Sequence, residues 1–150
     1  MISTKYMDEF LKTNVPMIEY SNLQVITINE NQCIVMIPFT HKTKNHVNSM
    51  YFGALAIGAE VSAGLIPFYQ LKSNNINSTV LFKNFTANFL KRPEEDVYFV
   101  CNEGETVSQA IEKAINTKER VNFDVGVVAV LDYNKLENPV ATFTLTISIT

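Results

Sequence analysis

An α+β fold, with an antiparallel sheet wrapped around one long buried helix, is what this sequence predicts from three observations. From Met50 to Leu71 the chain is almost entirely apolar and crowded with small residues, Gly53, Ala54, Ala56, Gly58, Ala59, Ala63 and Gly64. A helix that is apolar all round must be buried on every side. Glycines cost roughly 1 kcal/mol each against alanine in a helix, so their presence implies that something approaches the backbone closely. The second observation is the end of the chain, where Ala141, Phe143, Leu145, Ile147 and Ile149 alternate with Thr142, Thr144, Thr146 and Ser148. That period makes a strand with one buried and one hydroxylated face. The third is the short polar turns between the other strand candidates, which favour antiparallel neighbours.

In chain order, Thr4 to Thr13 is a short helix with Tyr6, Met7, Phe10 and Leu11 at helical spacing, stopped before Pro16. Leu23 to Ile28 and Cys33 to Phe39 form a hairpin across the polar turn Asn29 to Gln32. A polar loop from His41 to Ser49 leads into the long helix, read from about Ser49 to about Tyr69, with Asn48 or Ser49 as its cap and Pro67 kinking or ending it. Thr79 to Leu90 is a long strand in which Phe85, Ala87 and Phe89 share a face, and Lys91, Arg92 and Pro93 close it. Asp96 to Asn102 is a strand, and Val107, Ala110, Ile111, Ala114 and Ile115 mark an amphipathic helix that covers a sheet face or edge. Val121 to Leu131 is a strand, and Asp132 to Pro139 has turn chemistry.

A chain of 150 residues without repeats or a linker reads as one domain, able to bury roughly 68–70% of its unfolded surface. A net charge of −3 argues against a general nucleic-acid binder. Cys33 and Cys101 lack zinc-ligand spacing and lie in apolar runs, so they read as buried thiols in a reducing compartment, with no metal and no disulfide framework. The first residues show no basic segment followed by an apolar core, so no signal peptide and a cytoplasmic location are expected. Met50 to Leu71 is long enough to span a bilayer. Glu60 in its middle is costly in lipid, and no membrane span is expected.

A loop carrying an asparagine, a long buried helix and a strand ending in Phe-Leu-Lys-Arg-Pro together resemble the hotdog-fold acyl-CoA thioesterases, especially the phenylacetate-degradation type and its uncharacterised relatives. In those proteins an asparagine is followed six residues later by His-Gly-Gly and fifteen residues later by an acidic residue on the central helix. Here Asn45 is followed by Tyr51-Phe52-Gly53 and by Glu60 at the same offsets. The amphipathic helix between the strands near Val100 and Val121 fits an uncharacterised branch. Two departures stand out: Tyr51 replaces the family's histidine and Phe52 its first glycine.

The resemblance implies hydrolysis of an acyl thioester carried by coenzyme A or acyl carrier protein, with no cofactor, in a homodimer or dimer of dimers. Glu60 would be the base or nucleophile and Asn45 would orient the water or the carboxylate. The backbone N–H groups of Phe52 and Gly53, unpartnered at a helix start, would hold the oxyanion. His46, Asn48, Tyr51, Lys91 and Arg92 are candidate substrate contacts, the cations toward phosphate. The blander reading makes Glu60 a hydrogen-bonded core polar group, Asn45 and Asn48 turn or cap residues, and the cations solvated surface. The rival function is a non-catalytic module that binds an acyl thioester or lipid.

Overall fold

The computed structural model describes residues 2–150, beginning with two helices, α1 (Thr4–Asn14) and α2 (Pro16–Ser21). Ser3 caps α1 by accepting from the Tyr6 N–H at 3.0 Å. Pro16, expected only as a stop, opens α2 instead, because proline's fixed φ suits a first helical position where no N–H is needed. The hairpin β1 (Gln24–Ile28) and β2 (Cys33–Ile37) follows, then the long helix α3 (Phe52–Ser73). After it come β3 (Val80–Phe89), β4 (Val97–Cys101), α4 (Gly104–Thr117), β5 (Val121–Val130) and β6 (Ala141–Ile149).

All six strands join one antiparallel sheet in the order β1-β2-β4-β5-β6-β3. Its inward face packs on α3 in a single core that includes Val35, Ile37, Phe99, Val125, Val127, Phe143, Leu145 and Ile147. This is the hotdog arrangement. The length and composition of α3 would also suit a bilayer, but here the helix is the centre of the core. The small residues do what their positions imply: a Cβ at Gly58 would overlap the Phe99 ring of β4.

Helix α3 departs from its expected bounds at both ends. Asn48 takes a left-handed conformation, φ 59°, so it belongs to the preceding turn and does not cap the helix. Tyr51 stands at the cap position without a side-chain bond. At the other end Pro67 is accommodated inside the helix, which runs on to Ser73. Tertiary contacts hold that last stretch. Phe68 meets the Phe10 ring with centroids 4.7 Å apart, and the buried Gln70 amide donates to the carbonyls of Glu30 at 2.8 Å and Gly104 at 2.9 Å.

Helix α4 buries Val107, Ala110 and Ile111 as its period predicts, while Ile115 stays exposed. It flanks the part of β5 that β4 is too short to pair, since β4 meets β5 only at Val128–Val130. There the Gly126 N–H donates to the Glu103 carboxylate at 2.8 Å, which takes the place of a missing strand partner.

Candidate active site

The site begins at the loop before α3. Asn45 is wholly engaged within that loop: its Oδ1 accepts from the N–H groups of Val47 and Ser49, each at 3.0 Å, and its Nδ2 donates to Ser49 Oγ at 3.0 Å. This is asparagine mimicking backbone turns. The loop is tied at its far end, where the Tyr51 N–H donates to the Thr43 carbonyl and the Met50 N–H to the Pro93 carbonyl, both at 2.8 Å. The second of these bonds sets the loop beside Lys91 and Arg92. Both cations are exposed, as are His46 and Asn48, and neither Lys91 nor Arg92 forms an ion pair among the described residues.

The first two N–H groups of α3, those of Phe52 and Gly53, donate to no acceptor among the described residues. They sit at the positive end of a 22-residue helix. Tyr51 and Phe52, the residues that depart from the family pattern, place aromatic rings around them. The Tyr51 ring lies where a Gly53 Cβ would be, and the Phe52 ring meets Phe89 edge-on at 6.1 Å.

Two turns further along, Glu60 is half-buried and opens onto a cavity of about 270 Å³ lined by Phe82, Lys83, Asn84, Phe85 and Leu145. Burial pushes its carboxyl above the ordinary glutamate value, because desolvation penalises the charged form. No hydrogen bond to it is formed within the described residues, so a core hydrogen-bond network has no partner to offer it. A carboxylate in a largely apolar recess, with a raised affinity for protons, is suited to taking a proton from water.

Asn45 makes its hydrogen bonds within its own loop and does not line the Glu60 cavity. The cavity wall is only partly visible in the sequence: the alternation of β3 places Phe85 on the inward face, but it does not mark Phe82, Lys83, Asn84 or Leu145 as parts of a site. A β-bulge explains why. The register of β3 against β6 slips between Phe82 and Asn84, so Phe82 and Phe85, three residues apart, both turn inward toward α3. Two phenylalanines at a spacing of three within a strand were the available signal. Among the described residues no group of His, Cys, Asp and Glu is placed to hold a metal ion.

Residues 3–149 match the family described as Domain of unknown function (DUF4442). The chain belongs to this family. No curated protein matches it. Among solved structures it is similar to a protein of unknown function from Chlorobaculum tepidum TLS, 12% identical with a TM-score of 0.85, covering 97% of this chain and 93% of that one. It is also similar to a Pseudomonas aeruginosa protein of unknown function described as a probable thioesterase, 17% identical, TM-score 0.81, covering 99% of this chain and 97% of that one. A thioesterase from Haemophilus influenzae is 13% identical, with a TM-score of 0.72 and coverage of 100% and 92%. At these identities the likeness establishes the hotdog fold for this DUF4442 member.

Proposed function

We propose that this chain hydrolyses acyl thioesters, with Glu60 as the base and with each site completed by a second copy. The observation that carries the proposal is Glu60 itself, a half-buried carboxylate with a raised pKa on an otherwise apolar helix, facing an open recess. In the reaction Glu60 takes a proton from water, and the resulting hydroxide attacks the thioester carbonyl carbon. The oxyanion that forms accepts hydrogen bonds from the Phe52 and Gly53 N–H groups. The C–S bond then breaks, and the proton held by Glu60 passes to the thiolate, leaving a carboxylic acid and a thiol. Direct attack by Glu60 on the carbonyl, through an acyl anhydride that water then cleaves, uses the same groups.

Helix geometry supports a site between copies. Gly53 and Glu60 are seven residues apart on α3, roughly 10 Å at 1.5 Å per residue. The donors and the carboxylate of one chain therefore cannot serve the same carbonyl. A two-fold pairing that sets two α3 helices antiparallel brings Glu60 of one copy toward the helix start of the other, twice. The edge strand β3 favours such pairing, since it exposes Leu81, Phe82, Phe85 and Phe89 on an unpaired border. Asn45 then acts as a positioning residue that shapes the loop before the donors. Lys91, Arg92 and His46 offer exposed cationic or polar contacts to the phosphates of coenzyme A or of a carrier protein's prosthetic arm. The buried free thiols Cys33 and Cys101 fit a reducing cytoplasm.

The test is steady-state hydrolysis of short, medium, long and aromatic acyl-CoA by the unmutated protein, Glu60→Gln and Asn45→Ala, with thermal unfolding as a folding control. Glu60→Gln should lower kcat by roughly 10²–10⁴ with little change in affinity, and Asn45→Ala should cost less. Robust hydrolysis by Glu60→Gln would remove Glu60 from the chemistry. No hydrolysis by any protein, together with stabilisation by acyl-CoA, would favour the non-catalytic acyl-thioester module.

A further inference from the structure

We propose that Phe82 sets the length of the acyl group this protein accepts, by closing the Glu60 recess against Gly64. The inference rests on the thioester reading for its ligand class, and on the geometry of β3 and α3 for its content. Glu60, Gly64 and Phe68 recur every fourth residue on α3 and so form one stripe along the helix. Strand β3 runs antiparallel to that stripe, with Phe89 beside Phe52 at the helix start and Phe82 beside Gly64 further on. The recess at Glu60 is thus bounded toward the helix start by Phe85 and toward the helix end by Phe82.

Two local features make the Phe82 wall. The bulge at Lys83 turns Phe82 inward on the same side as Phe85; in an unbulged strand residues three apart face opposite sides. Gly64 supplies the seat: a Cβ there would stand only 3.0 Å from Phe82 Cζ, so the ring closes directly on the helix backbone because the side chain is absent. Beyond the ring the stripe continues to Phe68 and the strand to Val80, both half-buried and apolar. Removing the ring would therefore lengthen the recess along an apolar surface.

The recess is open to solvent and holds about 270 Å³. A cavity of roughly 150 Å³ accepts benzene, so the recess suits acyl groups of up to about ten non-hydrogen atoms, straight or aromatic. A longer chain that continues along the α3 stripe would have to displace the Phe82 ring, which closes on Gly64.

The experiment compares kcat/KM for acyl-CoA substrates of increasing chain length, and for one aromatic acyl-CoA, in the unmutated protein, Phe82→Ala and Phe82→Leu. The unmutated protein should favour the short and aromatic groups. Phe82→Ala should raise the long-to-short ratio of kcat/KM at least about tenfold, the discrimination an apolar pocket achieves for a methylene it can or cannot hold. Phe82→Leu should shift the ratio in the same direction by less. Phe82→Leu keeps the apolar bulk of the edge strand, so it still reads the effect if the alanine variant folds poorly. An unchanged ratio in variants that retain hydrolysis overturns the role of Phe82 and leaves the thioester reading standing. If the unmutated protein hydrolyses nothing, that reading fails and the same chain-length series is read as ligand-induced shifts in Tm. The same rank order and the same shift in Phe82→Ala would support the wall, and their absence would overturn it.

Discussion

The ring of Phe99 on β4 lies directly over the backbone of Gly58 on α3, in the space that a side chain at that position would need. The contact fixes how closely the sheet can approach its central helix. Phe99 is fully buried and also neighbours Phe143 at 6.4 Å, so it has little room to withdraw. Gly58→Ala should therefore destabilise the fold by overpacking, by roughly 1–3 kcal/mol, and Gly58→Leu by more. Thermal unfolding reads this as a fall of about 2–4 °C for each kcal/mol in a domain of this size. Full stability in Gly58→Leu would mean that the face is open.

A second stability prediction concerns Gln70. Its amide satisfies two carbonyls, Glu30 on the β1–β2 turn and Gly104 at the start of α4, and so ties the end of α3 to both. Gln70→Leu fills similar space but leaves both acceptors without that donor, at an expected cost of roughly 1–3 kcal/mol. Chemical denaturation checks it; an unchanged midpoint would show that water replaces the amide without loss.

Cys33 and Cys101 stand directly opposite each other in the β2–β4 ladder, and both are fully buried. Burial pushes Cys101 up from 9.0 to about 12 and raises Cys33 well above its ordinary value as well. The folded state then holds thiol protons that the unfolded chain has already released above about pH 9. Stability should accordingly fall as pH climbs from about 9 toward 12. Both thiols should resist alkylation in the native protein and react once it is unfolded. Fast labelling at neutral pH without unfolding would contradict their burial.

The raised pKa of Glu60 has opposite consequences for function and for stability. In the proposed reaction the base is the carboxylate form of Glu60, so kcat/KM should rise with pH through a midpoint above the ordinary glutamate value of 4.5. The folded state meanwhile keeps a proton that the unfolded chain has lost, so this residue's contribution to stability is present at low pH and is lost as pH rises through the raised value. Glu60→Gln removes that loss and should be at least as stable as the unmutated protein at neutral pH. A clear drop in its Tm would instead assign Glu60 a structural hydrogen bond.

The features legible in the sequence were those set by composition and period. The small residues of α3 implied a sheet at close range, and Phe99 on Gly58 is that contact. The isolated carboxylate at Glu60 stood out against an apolar run, and it does open onto a cavity. Features governed by tertiary context were not legible. By local rules Pro67 kinks or ends α3, read to about Tyr69, yet packing at Phe68 and Gln70 carries the helix on to Ser73. The left-handed turn at Asn48 moves the helix start past the expected caps. The bulge at Lys83 breaks the period of two that strand reading relies on, and so hid Phe82 from the inward face.

The most direct measurement mixes two inactive variants. Glu60→Gln lacks the proposed base, and Phe52→Pro lacks one of the two proposed N–H donors at the first helical position, where proline's fixed φ fits and Tyr51 before it is already extended. If each site joins Glu60 of one copy to the helix start of the other, a hybrid pair regains one intact site. Unfolding and refolding an equal mixture should then restore roughly a quarter of the unmutated thioester hydrolysis, since half the pairs are hybrids with one working site each. Hydrolysis that stays at the level of the separate variants, while the unmutated protein refolded alongside recovers its activity, would contradict a site shared between copies.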